Sequence, residues 1–207
     1  TTANENTALG VKALLVNTTG ANNVAVGAYA LDANTTTSGN TAIGDYSLSA
    51  NTAAYNTAVG QNAMIANTTG ANNVAVGNFA LDANTTADYN VAVGYASLTA
   101  NTTGTQNVGI GSNALGANTT ASYNIAVGGG ALGTNSTGAY NTAVGGSALN
   151  ANTTADHNTA VGYQALDTNS TGGGNTAVGS EALDANTTGG SNVAIGRVAM
   201  IANTTGA

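Results

Sequence analysis

The stretch Asn158-Thr159-Ala160-Val161-Gly162 is one of twelve copies of a five-residue pattern in this chain of 207 residues. Other copies are Asn23-Val24-Ala25-Val26-Gly27 and Asn107-Val108-Gly109-Ile110-Gly111. Ten of the eleven steps between successive copies are 17 residues long, and one is 16. Self-similarity at a fixed short period is the signature of a solenoid. The repeats begin at Asn6, Asn23, Asn40, Asn56, Asn73, Asn90, Asn107, Asn124, Asn141, Asn158, Asn175 and Asn192.

Each repeat, numbered from its first Asn, has the pattern of short β-strands. Position 2 is Thr, Val or Ile and position 4 is Val, Ile or Leu, and such residues favour a strand in which alternate side chains share a face. Position 9 is Leu or Met in every repeat, which predicts a second short strand. Apolar residues in steps of two and a Gly at position 5 argue against a helix. The sequence therefore predicts an all-β fold. It is a parallel β-solenoid, or β-roll, of twelve coils of about 17 residues with two short strands per coil.

Two arrangements of the core are compatible with this pattern. In the first, positions 2, 4, 9 and 11 share a narrow core, and the small residues of positions 3 and 5 pack against a second chain. In the second, the alanines of positions 3 and 8 form the core, and positions 2 and 4 face the partner. The first arrangement is the prediction. Its chain–chain packing residues are Ala25, Gly27, Ala58, Gly60, Ala75, Gly77, Ala92, Gly94, Ala126, Gly128, Ala143, Gly145, Ala160, Gly162, Ala177 and Gly179.

The single short repeat, residues 40–55, shows where the coil tolerates a deletion. Asn51-Thr52-Ala53 stands there in place of the usual Asn-Thr-Thr of positions 12 to 14. A surface corner can lose a residue, whereas a strand would change its register. The sequence therefore predicts that positions 12 to 14 lie in a long corner between strands.

The composition limits the classes of function. Only 5% of the residues are charged, against about 25% in ordinary globular domains. The net charge is -7, and the sequence has no basic patch, so nucleic-acid binding is not expected. No apolar run approaches the roughly 18 residues of a membrane span. Neither end carries a polar capping segment of the kind solenoids use for solubility. Residues 1–207 are therefore expected to be one continuous solenoid, an excerpt of a longer fibre or a subunit that stacks end to end.

The most regular chemical feature is Asn-x-Thr at position 12, which is the acceptor pattern for N-glycosylation. One interpretation is a row of glycans along one edge. The alternative is structural, because Asn tolerates left-handed backbone and caps turns, and stacked Asn side chains can bond to one another. A third hypothesis is that the repeated threonines form an ice-binding lattice. The candidate acceptors are Asn17, Asn34, Asn67, Asn84, Asn101, Asn118, Asn135, Asn152, Asn169, Asn186 and Asn203.

The residues that usually carry catalysis are scarce. The single histidine, His157, falls in a variable corner and is expected to be exposed. The acids are scattered, although Asp167 and Asp184 share position 10 in successive repeats, where they either bind a cation weakly or form part of a solvated face. Several tyrosines share position 7 or position 17, which predicts aromatic contacts at corners. No catalytic site, metal site or cofactor is expected, and the chain is not predicted to be an enzyme.

The segment Asn73-Val74-Ala75-Val76-Gly77-Asn78-Phe79-Ala80 resembles the head repeats of trimeric autotransporter adhesins. The repeat unit as a whole also resembles bacterial and phage tail-fibre-like proteins. The resemblance implies a left-handed parallel β-roll and three chains packed side by side outside a cell or virion. The expected function is a structural segment of an extracellular fibre, with other copies of the chain, and cell-surface glycans, as partners. The alternatives are a fibril coated with N-glycans and a solenoid that binds ice or carbohydrate.

Overall fold

A computed structural model describes residues 3–206, and in them each repeat contributes one β-strand of three residues. The strand occupies positions 2 to 4 of the repeat and ends at the Gly of position 5. The strands are β1 (Thr7–Leu9), β2 (Val24–Val26), β3 (Thr41–Ile43), β4 (Thr57–Val59), β5 (Val74–Val76), β6 (Val91–Val93), β7 (Val108–Ile110), β8 (Ile125–Val127), β9 (Thr142–Val144), β10 (Thr159–Val161), β11 (Thr176–Val178) and β12 (Val193–Ile195). The predicted parallel β-solenoid is confirmed.

The twelve strands form a single parallel sheet in chain order, β1 to β12. Equivalent positions face each other, so Thr159 pairs with Thr176 and Val161 with Val178. The register continues through the short repeat, where Thr41 pairs with Thr57. The missing residue lies in the long corner, as predicted. Asn51 Nδ2 donates to the carbonyl of Ala53 at 2.7 Å, two residues on, whereas the usual bond spans three residues.

The interior of each coil is built from positions 3, 8 and 9. Position 9 is buried as predicted, but positions 2 and 4 lie outside the core, so that part of the prediction is wrong and positions 3 and 8 take their place, as in the alternative. In the second repeat Ala25, Ala30 and Leu31 are fully buried, while Val24 and Val26 are only half-buried. Position 3 has room only for a small residue, because a Cβ added at Gly109 would already lie 2.6 Å from Ser97 Oγ and 3.3 Å from Leu98 Cγ of the preceding coil. Because side chains alternate along a strand, burying position 3 turns positions 2 and 4 outward.

The predicted second strand is also absent between residues 3 and 206, because positions 6 to 11 form a turn in each repeat. Positions 8 and 9 are both buried, as Ala30 and Leu31 show, and adjacent strand residues cannot point to the same side. A left-handed backbone conformation at position 9 allows both side chains to be buried. All twelve position-9 residues have φ between 50° and 54°. This conformation costs about 1–2 kcal/mol per residue. Burying a Leu side chain, which contributes about 1.5–3 kcal/mol, offsets that cost.

Within residues 3–206 no helix has the length and apolar character needed to span a membrane.

Candidate functional site

The Asn side chains of position 12 lie inside the coil and form a continuous row, called here the position-12 ladder. Asn118 Nδ2 donates to Asn101 Oδ1 of the preceding coil at 2.9 Å and to the carbonyl of Ala121 at 3.0 Å. Asn118 Oδ1 accepts a bond from Asn135 Nδ2 at 3.1 Å. Each such side chain therefore closes its own corner and binds the coils on both sides.

The position of this ladder decides how the glycosylation pattern is interpreted. The nitrogen that would carry a glycan points inward, and the residue is fully buried in nine of the eleven candidate acceptors. Asn17 and Asn203, in the first and last coils, are partly buried, and each donates to a carbonyl of its own corner. The structure therefore supports the structural alternative. The fully buried acceptors are Asn34, Asn67, Asn84, Asn101, Asn118, Asn135, Asn152, Asn169 and Asn186.

A second row of Asn side chains, from position 1, is called the position-1 ladder and was not assigned a role from the sequence. Asn107 N donates to Asn90 Oδ1 of the preceding coil at 2.9 Å. Asn107 Nδ2 donates to the carbonyl of Ala121 at 2.8 Å, which also accepts the bond from Asn118. The two ladders therefore hold the same corner from both sides. The sequence feature that could have indicated this ladder is the Asn that precedes the strand in all twelve repeats.

The small residues predicted to pack against another chain are instead approached by their own chain. The eight alanines of that set are fully buried in the coil. The eight glycines have φ between 135° and 139°, a region that favours Gly. A Cβ atom added at Gly128 would lie 2.4 Å from the carbonyl oxygen of Gly145 in the next coil. The requirement for small residues at positions 3 and 5 is thus explained by the coil and its stacking.

The outward side chains of positions 2 and 4 form an uncharged, mostly aliphatic surface along the sheet, called here the aliphatic face. It consists of the first and third residues of strands β1 to β12, and all of these are Thr, Val, Ile or Leu. Their side chains are half-buried or exposed, with Val76 at 37% and Ile110 at 39%. In-register pairing aligns the side chains in two columns. No charged side chain belongs to this face.

The corner threonines are divided between two environments. At position 13 the hydroxyl is engaged in stacking, as in Thr102 Oγ1, which donates to the carbonyl of Thr119 at 3.1 Å. At position 14 the threonines, such as Thr103, are exposed. An ice-binding lattice at this corner would therefore have a single row of free hydroxyls.

Aromatic side chains lie at two corners of the rod, and some of them stack in successive coils. The rings of Tyr29 and Tyr46, at position 7, are parallel. At position 17, Tyr123 stacks on Tyr140, and Tyr140 stacks on His157. His157 is exposed, as predicted, and Tyr140 is a partner that the sequence analysis did not identify.

The acidic pair of position 10 is the one place where carboxyl pKa values are clearly perturbed among residues 3–206. Partial burial raises the pKa of the Asp167 carboxyl, the charge of Asp184 raises it further, and a hydrogen bond from Gln164 lowers it. Burial, followed by the charge of Glu181, raises the pKa of Asp184. Along residues 3–206 no three His, Asp or Glu side chains gather closely enough to hold a metal ion. The charge of Asp184 therefore repels that of Asp167, and Asp184 is itself repelled by Glu181.

We expect Asp184→Asn to stabilise the protein at pH 7 and to have no effect at pH 3. A carboxyl whose pKa is raised on folding weakens the folded state as the pH increases above its unfolded value of 3.8. Interactions between largely exposed charges are typically worth about 0.2–1 kcal/mol, which sets the expected gain. Denaturant midpoints at the two pH values measure it.

The control variant for this pair is Asp32→Asn, because Asp32 occupies the same position between the uncharged Leu15 and Ser49. We expect it to change the midpoint equally little at both pH values. An equal gain in the two variants at pH 7 would show that repulsion between Asp167 and Asp184 is not the cause.

No pocket is found over the part of the chain that the structure describes. The extended surfaces are the aliphatic face and the corner rows. Comparison of the chain with protein-family models, with curated proteins and with solved structures found no match.

Proposed function

We propose that this chain is a structural segment of an extracellular fibre in which copies pack side by side through the aliphatic face. The observation that carries the proposal is the face itself. It is free of charge over all twelve strands: the position-4 column is entirely aliphatic, and the position-2 column contains Val and Ile together with six Thr. Soluble monomers rarely expose large contiguous apolar surfaces, and such surfaces mark sites of association.

The internal contacts support a mechanical role. Each coil is joined to the next by the parallel sheet, the two Asn ladders and the position-13 hydroxyls. The same bonds recur at nearly every step, so stability grows with the number of nearest-neighbour interfaces. A rod built in this way is stiff along its axis, which suits a stalk or filament.

The dimensions of the aliphatic face suit association with other copies. Twelve strands spaced about 4.8 Å apart give a length of roughly 55 Å, and two side-chain columns give a width of roughly 10 Å. Packing two such faces would bury roughly 1,100 Å² in total, which is near the lower limit of specific interfaces. A second copy has the same spacing along its axis, so its columns match these over their whole length.

The alternative functions have less support. The buried acceptor nitrogens of the position-12 ladder argue against a fibril coated with N-glycans. The engagement of the position-13 hydroxyls weakens the ice-binding hypothesis. The exposed corner tyrosines leave carbohydrate binding as the second candidate, which glycan-array binding would test.

Val93→Lys tests the proposal, because it places one charge at the middle of the aliphatic face. We expect the unmodified protein to associate and the variant to bind its partner at least tenfold more weakly, since a lysine ammonium resists burial in an apolar interface. The side chain of position 4 already faces outward, so the thermal unfolding midpoint should change little. Sedimentation velocity over a range of concentrations measures the association.

The matched control is Thr103→Lys, which adds the same charge to an exposed corner of the same coil. It should associate like the unmodified protein. A protein that stays monomeric at all concentrations, or two variants that behave alike, would contradict the proposal.

A further inference from the structure

We propose that the stacked pairs Tyr123–Tyr140 and Tyr29–Tyr46 are oxidative modification sites at which a dityrosine bond joins neighbouring coils. The co-reactant is hydrogen peroxide, whose two oxidising equivalents a peroxidase delivers as two one-electron oxidations. The inference stands on the two ring pairs and does not depend on how the rods associate.

The geometry of the two pairs favours coupling. The ring centroids of Tyr123 and Tyr140 lie 5.1 Å apart with an angle of 5° between the planes. Those of Tyr29 and Tyr46 lie 4.8 Å apart with an angle of 4°. This spacing is that of adjacent strands, about 4.8 Å, so the stacking of coils holds the rings together. Coupling requires both rings to turn from this face-to-face arrangement until their ortho carbons meet edge to edge, and the exposure of the side chains leaves room for that rotation.

Each pair is flanked in the adjacent coils by residues other than Tyr, so coupling can occur only between the two rings of the pair. Gln106 precedes Tyr123 at position 17, and the ring of His157 covers the other side of Tyr140 at 5.0 Å. In the other pair the Lys12 ammonium lies 4.9 Å from the centre of the Tyr29 ring. Asn62 follows Tyr46 at position 7. A radical formed on either ring has one tyrosine as its neighbour.

The oxidant removes one electron and one proton from each phenol, which gives two tyrosyl radicals. A carbon–carbon bond forms between the two ortho carbons, and the hydrogen on each of these carbons moves to the phenolic oxygen. The protein loses two hydrogen atoms, and one hydrogen peroxide molecule is reduced to two water molecules.

Two tyrosines without a stacked partner, Tyr55 and Tyr89, serve as controls for the effect of solvent exposure on oxidation. Tyr55 and Tyr89 occupy position 17 like Tyr123 and Tyr140, but their neighbours at this position are Gly39, Asn72 and Gln106. Their exposed fractions are 67% and 58%, against 48% for Tyr123 and 53% for Tyr140. An oxidant that selects by exposure alone would prefer the two isolated tyrosines, whereas selection by stacking would prefer the pairs.

The experiment treats the dilute protein with peroxidase and hydrogen peroxide, then maps the links by mass spectrometry after unfolding and proteolysis. We expect dityrosine fluorescence from a product that is still a single polypeptide. Its mass should be lower by two hydrogen atoms for each link. The mapped links should be Tyr123–Tyr140 and Tyr29–Tyr46. Tyr140→Phe should abolish the first link and leave the second, and Tyr89→Phe should leave both.

The same reaction in denaturant tests whether stacking is the cause. An unfolded chain closes short loops most easily, so links between tyrosines close in sequence, such as Tyr89 and Tyr95, should then prevail. Links that include Tyr55 or Tyr89 as often as the stacked pairs in the folded protein would overturn the proposal. So would the formation of dimers only, the absence of dityrosine, or the same links with and without denaturant.

Discussion

Gly128→Ala is expected to destabilise the rod by about 2–6 kcal/mol, the sum of backbone strain and overpacking. Gly128 has a φ of 138°, which side-chain-bearing residues rarely adopt. Its added Cβ would lie 2.4 Å from the oxygen and 2.6 Å from the carbon of the Gly145 carbonyl. Both obstacles are backbone atoms of the next coil, so no side-chain rotation can relieve them.

The adjacent Gly129 provides the control for this prediction. It has no comparable φ, and the nearest atom to an added Cβ is the Ser112 carbonyl oxygen at 4.0 Å. Gly129→Ala is expected to be neutral, or stabilising by about 0.4–1 kcal/mol through a less flexible unfolded chain. Denaturant midpoints followed by circular dichroism compare the two variants.

Hydrogen exchange should place the damage of Gly128→Ala between β8 and β9, because contacts in a solenoid are limited to neighbouring coils. Faster exchange confined to these coils would agree with the proposed clash. Equal midpoints for the two glycine variants would show that the close approach of positions 5 is not required for stacking.

Asn118→Asp is expected to cost about 3–5 kcal/mol at pH 7, the usual effect of leaving a buried charge without a partner. The side chain is fully buried, and its Nδ2 donates to Asn101 Oδ1 and to the Ala121 carbonyl. A carboxylate has no hydrogen to donate, so three oxygen atoms would face one another inside the coil. The loss should be smaller at pH 4, because burial raises a carboxyl pKa and a protonated carboxyl can donate again.

The control is Asn113→Asp in the same coil, where the side chain is exposed and left-handed backbone is already present. A surface change of this kind usually stays within about 0.5 kcal/mol. Chemical unfolding of both variants at pH 4 and pH 7 measures the difference. If Asn118→Asp were as stable as Asn113→Asp at pH 7, the position-12 ladder would not be a structural element.

Much of the fold could be predicted from the sequence, because the repeat constrains every coil in the same way. The period, the strand at positions 2 to 4 and the deletion in the long corner all followed from it. The roles of the Asn ladders were only partly accessible. The position-12 Asn fits both a glycan acceptor and an interior cap, and only its burial separates the two.

The errors have a common physical cause. Alternation along a strand shows that Val24 and Val26 share one face and Ala25 has the other, but it does not show which face is inside. That choice depends on volume. The interior is filled by the side chains of positions 8 and 9, such as Ala30 and Leu31, and only a small residue such as Ala25 fits beside them. The adjacent burial of positions 8 and 9 was visible in the pattern, and it excludes a strand there.

The sequence by itself thus determined that the chain is a solenoid, with its period and its strand positions, because each of these depends on local patterns that recur twelve times. The tertiary structure alone decided which face is the core, where the backbone becomes left-handed, and which tyrosines stack. These features depend on how one coil fills its interior and rests on the next. Contacts between residues 17 apart, which define that stacking, are made only when the chain is wound.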